Sequence, residues 1–190
     1  MDKLKLCADE FNKLININYY CIIGRKGKTR EFTLTFNPFD FHHLAGLHKL
    51  ADISVIRGNR ERIFKNIISE KITYEMISKS LDFPLIESRL NYLYKLQEFM
   101  DSNSIIFNYE KRNNVYSNID AVYLLQNEID KTINYLFIDK NNDGTFFGRS
   151  FFPQEQKDYT IAQQKWTLLY KEKTDNNTNI KIIQYNKLLK

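Results

Sequence analysis

Glycine, proline and cysteine are all scarce, at 6, 3 and 2 of 190 residues. So little glycine and proline excludes collagen-like, linker-rich and disordered chains. The two cysteines, Cys7 and Cys21, have neither metal-ligand spacing nor the density of a disulfide framework, and read as buried thiols. Long apolar runs are missing as well. The longest are short pieces such as 19–23 and 135–138, which excludes a bilayer-spanning helix. The first residues, MDKLKLCADEFNKL, scatter charges among apolar positions and form no secretory h-region, so the expected compartment is the cytosol. No paired Asp/Glu constellation and no i, i+4 histidine pair occurs, which argues against two-metal and zinc hydrolases. Neither a metal nor a cofactor is expected.

What remains is a chain with 43% hydrophobic, 14% aromatic and 27% charged residues, enough apolar material for one ordinary core. Lys and Arg outnumber Asp and Glu by 28 to 23, and the net charge of +5 suits a polyanion partner without demanding one. Leu4, Cys7, Ala8, Phe11, Leu14 and Ile15 lie at helical spacing and predict an N-terminal amphipathic helix. Aromatic and β-branched stretches at 17–23 and 29–36, separated by turn residues 24–28, predict a hairpin that Pro38 closes. Helical periodicity returns over 39–53, with Asp40 as its N-cap, and again at 59–69, 73–80 and 84–100. After Asn103 the period moves toward two, with strands expected at 104–109, 121–128, 133–139, 145–152, 164–172 and 180–185. These elements predict an α+β fold: a single domain whose antiparallel sheet is covered on one side by an N-terminal helix, a histidine-bearing helix and an inserted helical lobe at about 59–103, with the C-terminal strands at about 104–185.

Three apparent motifs dissolve on inspection. Gly24-Arg25-Lys26-Gly27-Lys28-Thr29 suggests a P-loop, but the first glycine of that motif would fall on Ile22 and no helix follows. A basic hairpin turn is the better reading, in which Arg25, Lys26, Lys28 and Arg30 offer charge to a nucleic-acid backbone. Asp139 to Gly144 copies the first half of an EF-hand loop, but its twelfth position is Ser150 and strand precedes it, so a hairpin turn is expected. Residues 73–96 could pair as a helix-turn-helix, with Ile77, Leu81, Ile86 and Leu90 at the contact and Arg89 or Lys95 toward DNA. Glu75, Glu87 and Glu98 interrupt that basic face and favour an ordinary lobe.

The segment FHHLAGLHKLADI holds all three histidines. On a helical wheel Leu44, Leu47, Leu50 and Ala51 form the buried stripe with His43 at its edge, while His42, Gly46 and Lys49 share the opposite face. Two chemistries are open. His43 can serve as acid or base near neutral pH, or His42 and Lys49 can present an imidazole and a cation to one phosphate with Gly46 leaving room. A third reading is that of ordinary surface histidines. Later, Gly148-Arg149-Ser150-Phe151-Phe152-Pro153 with Tyr159 and Gln163 brings a guanidinium, a hydroxyl, a phenol and an amide beside aromatic strands, groups suited to a phosphodiester or to the plain polar fringe of a strand.

Taken together, FHHLAGLHKLADI after an aromatic hairpin, the stretch IFKNIISEKITYEMISKS with an arginine-bearing helix behind it, and the RSFFP-to-Tyr159 block resemble a phage-associated branch of the Barnase-EndoU-Colicin-RelE-like nucleases, from about Tyr19 to Lys173. That resemblance implies a metal-independent RNase with a toxin-like or phage-conflict role. The 2′-hydroxyl of RNA, tRNA included, would attack the adjacent phosphate, and an inhibitor protein could accompany the enzyme. It also implies His43 as acid or base, Lys49 and Arg149 as phosphate clamps, Ser150 and Tyr159 as hydrogen-bonding or proton-relaying groups, and His42, His48 and Gly46 as reserves. The competing expectations are a non-enzymatic module that binds nucleic acid or protein, and a degenerate nuclease that kept only the fold. An enzyme requires these side chains to converge in an open cleft; a degenerate chain would bury or scatter them.

Overall fold

The structure, a computed structural model, describes residues 1–114 and 117–188. Helix α1 (Lys3–Asn12) forms where the apolar spacing requires it, burying Leu4, Cys7, Ala8 and Phe11. Its cap, Asp2, does double work. One carboxylate oxygen accepts from the Lys5 amide at 2.9 Å, and the other accepts from the Tyr74 amide at 2.8 Å, tying the first helix to the start of a later one. Strands β1 (Ile17–Arg25) and β2 (Lys28–Thr35) make the expected hairpin, turning through Lys26 and Gly27, both at positive φ.

Between the hairpin and the remaining strands lie α2 (Phe41–Leu44), α3 (Arg60–Ile68), α4 (Tyr74–Ser78), α5 (Pro84–Leu90) and α6 (Leu96–Asp101). The expected helix over 39–53 is corrected to a broken path. A 3-10 turn at Pro38–Asp40 leads into one turn of α2, Gly46 then takes the left-handed conformation at φ 77°, and a second 3-10 turn runs Leu47–Lys49. The Asp40 carboxylate accordingly caps the earlier turn, accepting from the Asn37 amide at 2.8 Å. The stretch expected as one helix from Pro84 to Met100 is likewise α5, a 3-10 turn at Leu93–Lys95, and α6. Nor do α4 and α5 form a DNA reader. Ile77, Ile86 and Leu90 are buried, but Leu81 is 91% exposed, Arg89 points inward, and Lys95 pairs with Asp130.

Strands β3 (Ile105–Asn108), β4 (Tyr123–Ile129), β5 (Thr132–Lys140), β6 (Phe146–Pro153), β7 (Gln164–Asp175) and β8 (Ile180–Asn186) follow close to their expected positions. The half EF-hand is the β5–β6 turn, where the Asn141 amide donates to the Thr145 carbonyl at 2.7 Å. The simple antiparallel sheet is corrected to a closed mixed barrel of seven strands in the order β1-β2-β6-β5-β4-β3-β7. β7 returns to β1, and β8 pairs with β7. The parallel contact is β2 with β6, Leu34 opposite Phe146 and Thr35 opposite Phe147. One core joins the helices to one face of the strands. A second, aromatic cluster of Phe107, Tyr109, Leu124, Tyr135 and Phe137 forms on the other face of β3–β5, with Phe152 of β6 and Tyr159 packed against it. Both cysteines are free and buried, and burial pushes each thiol up to about 12.

Candidate active site

The two core systems are separated along β6 by a single irregularity. Phe137 pairs with Ser150 and Ile138 with Gly148, so Arg149 is the extra residue of a β-bulge. Alternation therefore switches at that point. Phe146 and Phe151 face the large core, while Phe152 turns to the aromatic cluster and Ser150 to a cavity, with Arg149 exposed at its rim.

That cavity, about 510 Å³, gathers side chains from distant parts of the chain. His43, His48 and Lys49 come from the α2 region, Ser88 and Arg89 from α5, Asn118 from the loop before β4, Arg149, Ser150 and Phe152 from β6, and Glu155 and Tyr159 from the segment after it. All five side chains that the resemblance assigned to chemistry, His43, Lys49, Arg149, Ser150 and Tyr159, line it, and His48 joins them. His42 does not. It is 8% exposed, and its Nε2 donates to the Ile56 carbonyl at 2.9 Å, which makes it a structural staple. The wheel that put His42 and Lys49 on one face fails because the helix ends at Leu44. Gly46 also differs from its expected use as space for phosphate. A Cβ there would lie 2.8 Å from Ile86 Cγ2 and 3.0 Å from Arg89 Cδ, so its bareness admits the stem of Arg89. Arg25, Lys26, Lys28 and Arg30 lie on the β1–β2 hairpin, away from the cavity lining; Arg30 stacks on Trp166 and donates to Asn108 at 3.0 Å.

Arg89 is the residue that motif reading assigned elsewhere. Buried to 7% exposure, it donates to Ser150 Oγ at 2.9 Å and to the Phe151 carbonyl at 3.4 Å, and its guanidinium lies 4.8 Å from the Phe152 ring centre. The available signal was an arginine set between Ile86 and Leu90 on the apolar stripe of an amphipathic helix, where a charge needs a reason.

Electrostatics follow from crowding these cations together. Burial, then the nearby charges of Arg60, His48, His42 and Arg149, bring His43 down to about 4. Burial and Arg89 do the same to His48, also to about 4, and its ring lies 4.7 Å from that of His43. Lys49 is lowered by burial and Arg89, and burial brings Arg89 down to about 10. The carboxylate on this wall, among the described residues, is Glu155. Such a lining, with neutral imidazoles beside fixed cations, has charge that an anion would neutralise: a bound phosphate would relieve the repulsion and raise the histidines. Among the described residues no group of three or more His, Cys, Asp or Glu side chains is placed to hold a metal, and none of the helices is long and apolar enough to cross a membrane.

A family model described as phage-Barnase-EndoU-ColicinE5/D-RelE-like nuclease 4 matches residues 3–188. Comparisons with curated proteins and with solved structures return no match.

Proposed function

The chain belongs to that family of phage-associated nucleases, and from this premise we propose that it cleaves RNA without a metal, by attack of the 2′-hydroxyl on the adjacent phosphate. The products are a 2′,3′-cyclic phosphate and a free 5′-hydroxyl. The observation that carries the reading is convergence: groups spread from His43 to Tyr159 line one open cavity whose charge is matched to a phosphodiester. His43, held neutral, takes the 2′-hydroxyl proton. Arg149 and Lys49 hold the non-bridging oxygens, and the burial that lowers Lys49 makes its ammonium the readier donor to the leaving 5′-oxygen. Ser150 accepts from Arg89, which leaves its own hydroxyl proton free to donate to the phosphate, and the Tyr159 hydroxyl adds a second donor. A phage-conflict role fits this chemistry, in which cutting RNA is the harmful act.

The test is RNA cleavage by purified protein in EDTA, tRNA included, beside His43→Ala and Lys49→Ala variants whose folding is checked by circular dichroism. Cleavage leaving cyclic phosphate ends, and falling about 10²-fold or more in folded variants, is the expected result. An inactive wild type, or variants as active as wild type, would defeat the assignment.

A further inference from the structure

Next to the cationic cavity lies a smaller one of about 230 Å³, sharing Phe152, Glu155 and Tyr159 with it and completed by Pro153, Gln156 and Lys157. The two differ in chemistry. The first is dominated by cations; the second combines aromatic rings with a carboxylate and a primary amide, and Lys157 contributes its cation. An RNA whose phosphate sits in the first cavity has a nucleobase one sugar away.

We propose that the smaller cavity is a nucleobase subsite, with Tyr159 as the stacking platform and Glu155 and Gln156 reading the edge of the base beside the scissile phosphate. This rests on the cleavage reading above and specifies its substrate.

Four features support the assignment. Tyr159 is fixed in advance: Tyr135, Phe137 and Phe152 meet it in edge-on contacts with centroids 5.6, 5.3 and 5.4 Å away, and the Asn114 amide donates to its carbonyl at 3.2 Å. What lies over the ring is the Lys157 ammonium, 4.8 Å from the centroid. A flexible lysine is easily exchanged for the flat face of a base, and its charge then falls near the phosphate chain. The loop is also anchored, since the Tyr135 hydroxyl bridges Gln154 and Asp158, and Asp158 accepts from the Thr160 amide at 2.8 Å. A platform held this firmly loses little freedom when a base lands on it. Glu155, exposed on the shared wall, accepts hydrogen bonds only, so it favours a base with amino donors and disfavours uracil, whose one ring N–H is flanked by carbonyls.

The test is equilibrium binding of the four nucleoside 3′-monophosphates, the four 5′-monophosphates and base-free ribose 5-phosphate. The intact protein is compared with Tyr159→Phe, Tyr159→Leu and Glu155→Gln. We expect at least one nucleotide series to bind about tenfold tighter than ribose 5-phosphate, with uridine weakest. Tyr159→Phe keeps that margin and Tyr159→Leu erases it, while both variants bind ribose 5-phosphate equally. Glu155→Gln narrows the gap between cytidine and uridine nucleotides. If Tyr159→Leu does not fold, the exposed Glu155→Gln variant decides through this ranking. Nucleotides that bind no better than ribose 5-phosphate, or a margin and ranking unchanged in the variants, overturn the subsite even if RNA is cut. A base-dependent margin in a protein that cuts no RNA upholds the subsite and removes the catalytic reading instead.

Discussion

Arg89 occupies a position where the apolar stripe of α5 would otherwise continue, and its partners are neutral: a serine hydroxyl and a backbone carbonyl. A guanidinium desolvated without a bonded carboxylate costs stability, and an incoming anion offsets that cost. Replacement by a side chain of similar length and no charge separates the two effects. Arg89→Met is expected to melt at the same temperature as wild type or higher, while RNA cleavage falls about 10²-fold or more; a variant both unstable and active would contradict this. The histidines carry the same logic into pH. His43 and His48 are held near 4, below their ordinary 6.5, so between these values the folded chain binds fewer protons than the unfolded one. Their contribution to stability is present above 6.5 and lost as pH falls toward 4. Asp40, which burial raises to about 6 from 3.8, works in the opposite direction over part of that window. His42, also lowered by burial, acts with the other two, so with three histidines against one carboxyl the melting temperature is expected to fall from about pH 7 to about pH 4.5. Inorganic phosphate should restore part of the loss, and His43→Asn should flatten the slope. Melts at several pH values with and without phosphate check all three.

At the scale of elements, the bulge in β6 is what adds Arg149 to the rim of the cavity. Arg149 has no partner in β5, and removing it would restore regular pairing without changing the faces taken by Gly148 before it or Ser150 after it. Deletion of Arg149 is therefore expected to leave a cooperatively folding protein within about 1 kcal/mol of wild type, with RNA cleavage severely reduced because the cation at the rim is gone. Urea unfolding beside an activity assay tests this, and a collapse of folding would show that the bulge serves the barrel and not the site. The same strand shows how far local pattern could be read. Period-two alternation of aromatic and β-branched residues announced β1 to β8 because each strand sets its own pattern. The break at Arg149 was not legible, since a bulge exists only relative to a partner strand. Gly46 similarly ended a helix that periodicity would have continued. Its left-handed backbone favours glycine, and the close approach of Ile86 and Arg89, forty and more positions away in sequence, leaves no room for a Cβ.

Across the whole molecule, closure of the barrel was hidden for a related reason. β1 meets β7 through pairs such as Tyr19 with Lys173, and β2 runs parallel to β6, and neither contact leaves a trace in local spacing. His43, Lys49, Arg149, Ser150 and Tyr159 could be named from two short segments, whereas their meeting in one cavity depends on this closure. The architecture also places charge in two separate regions. The cavity has its own cations, and the β1–β2 hairpin carries Arg25, Lys26 and Lys28 outside its lining, with Lys26 and Lys28 exposed. If the cavity performs the chemistry and the hairpin only gathers RNA, the two regions respond to different substrates. A short substrate such as a dinucleotide fills the cavity alone, so changing Arg25, Lys26 and Lys28 together to Gln should leave its cleavage nearly unchanged. A long RNA crossing both regions releases counterions at each phosphate it contacts. For it the triple variant should raise KM, leave kcat alone, and reduce the slope of log affinity against log salt by up to about 2. Equal losses on dinucleotide and long RNA would mean that the hairpin acts on the cavity itself, and no loss on either would remove it from the RNA path.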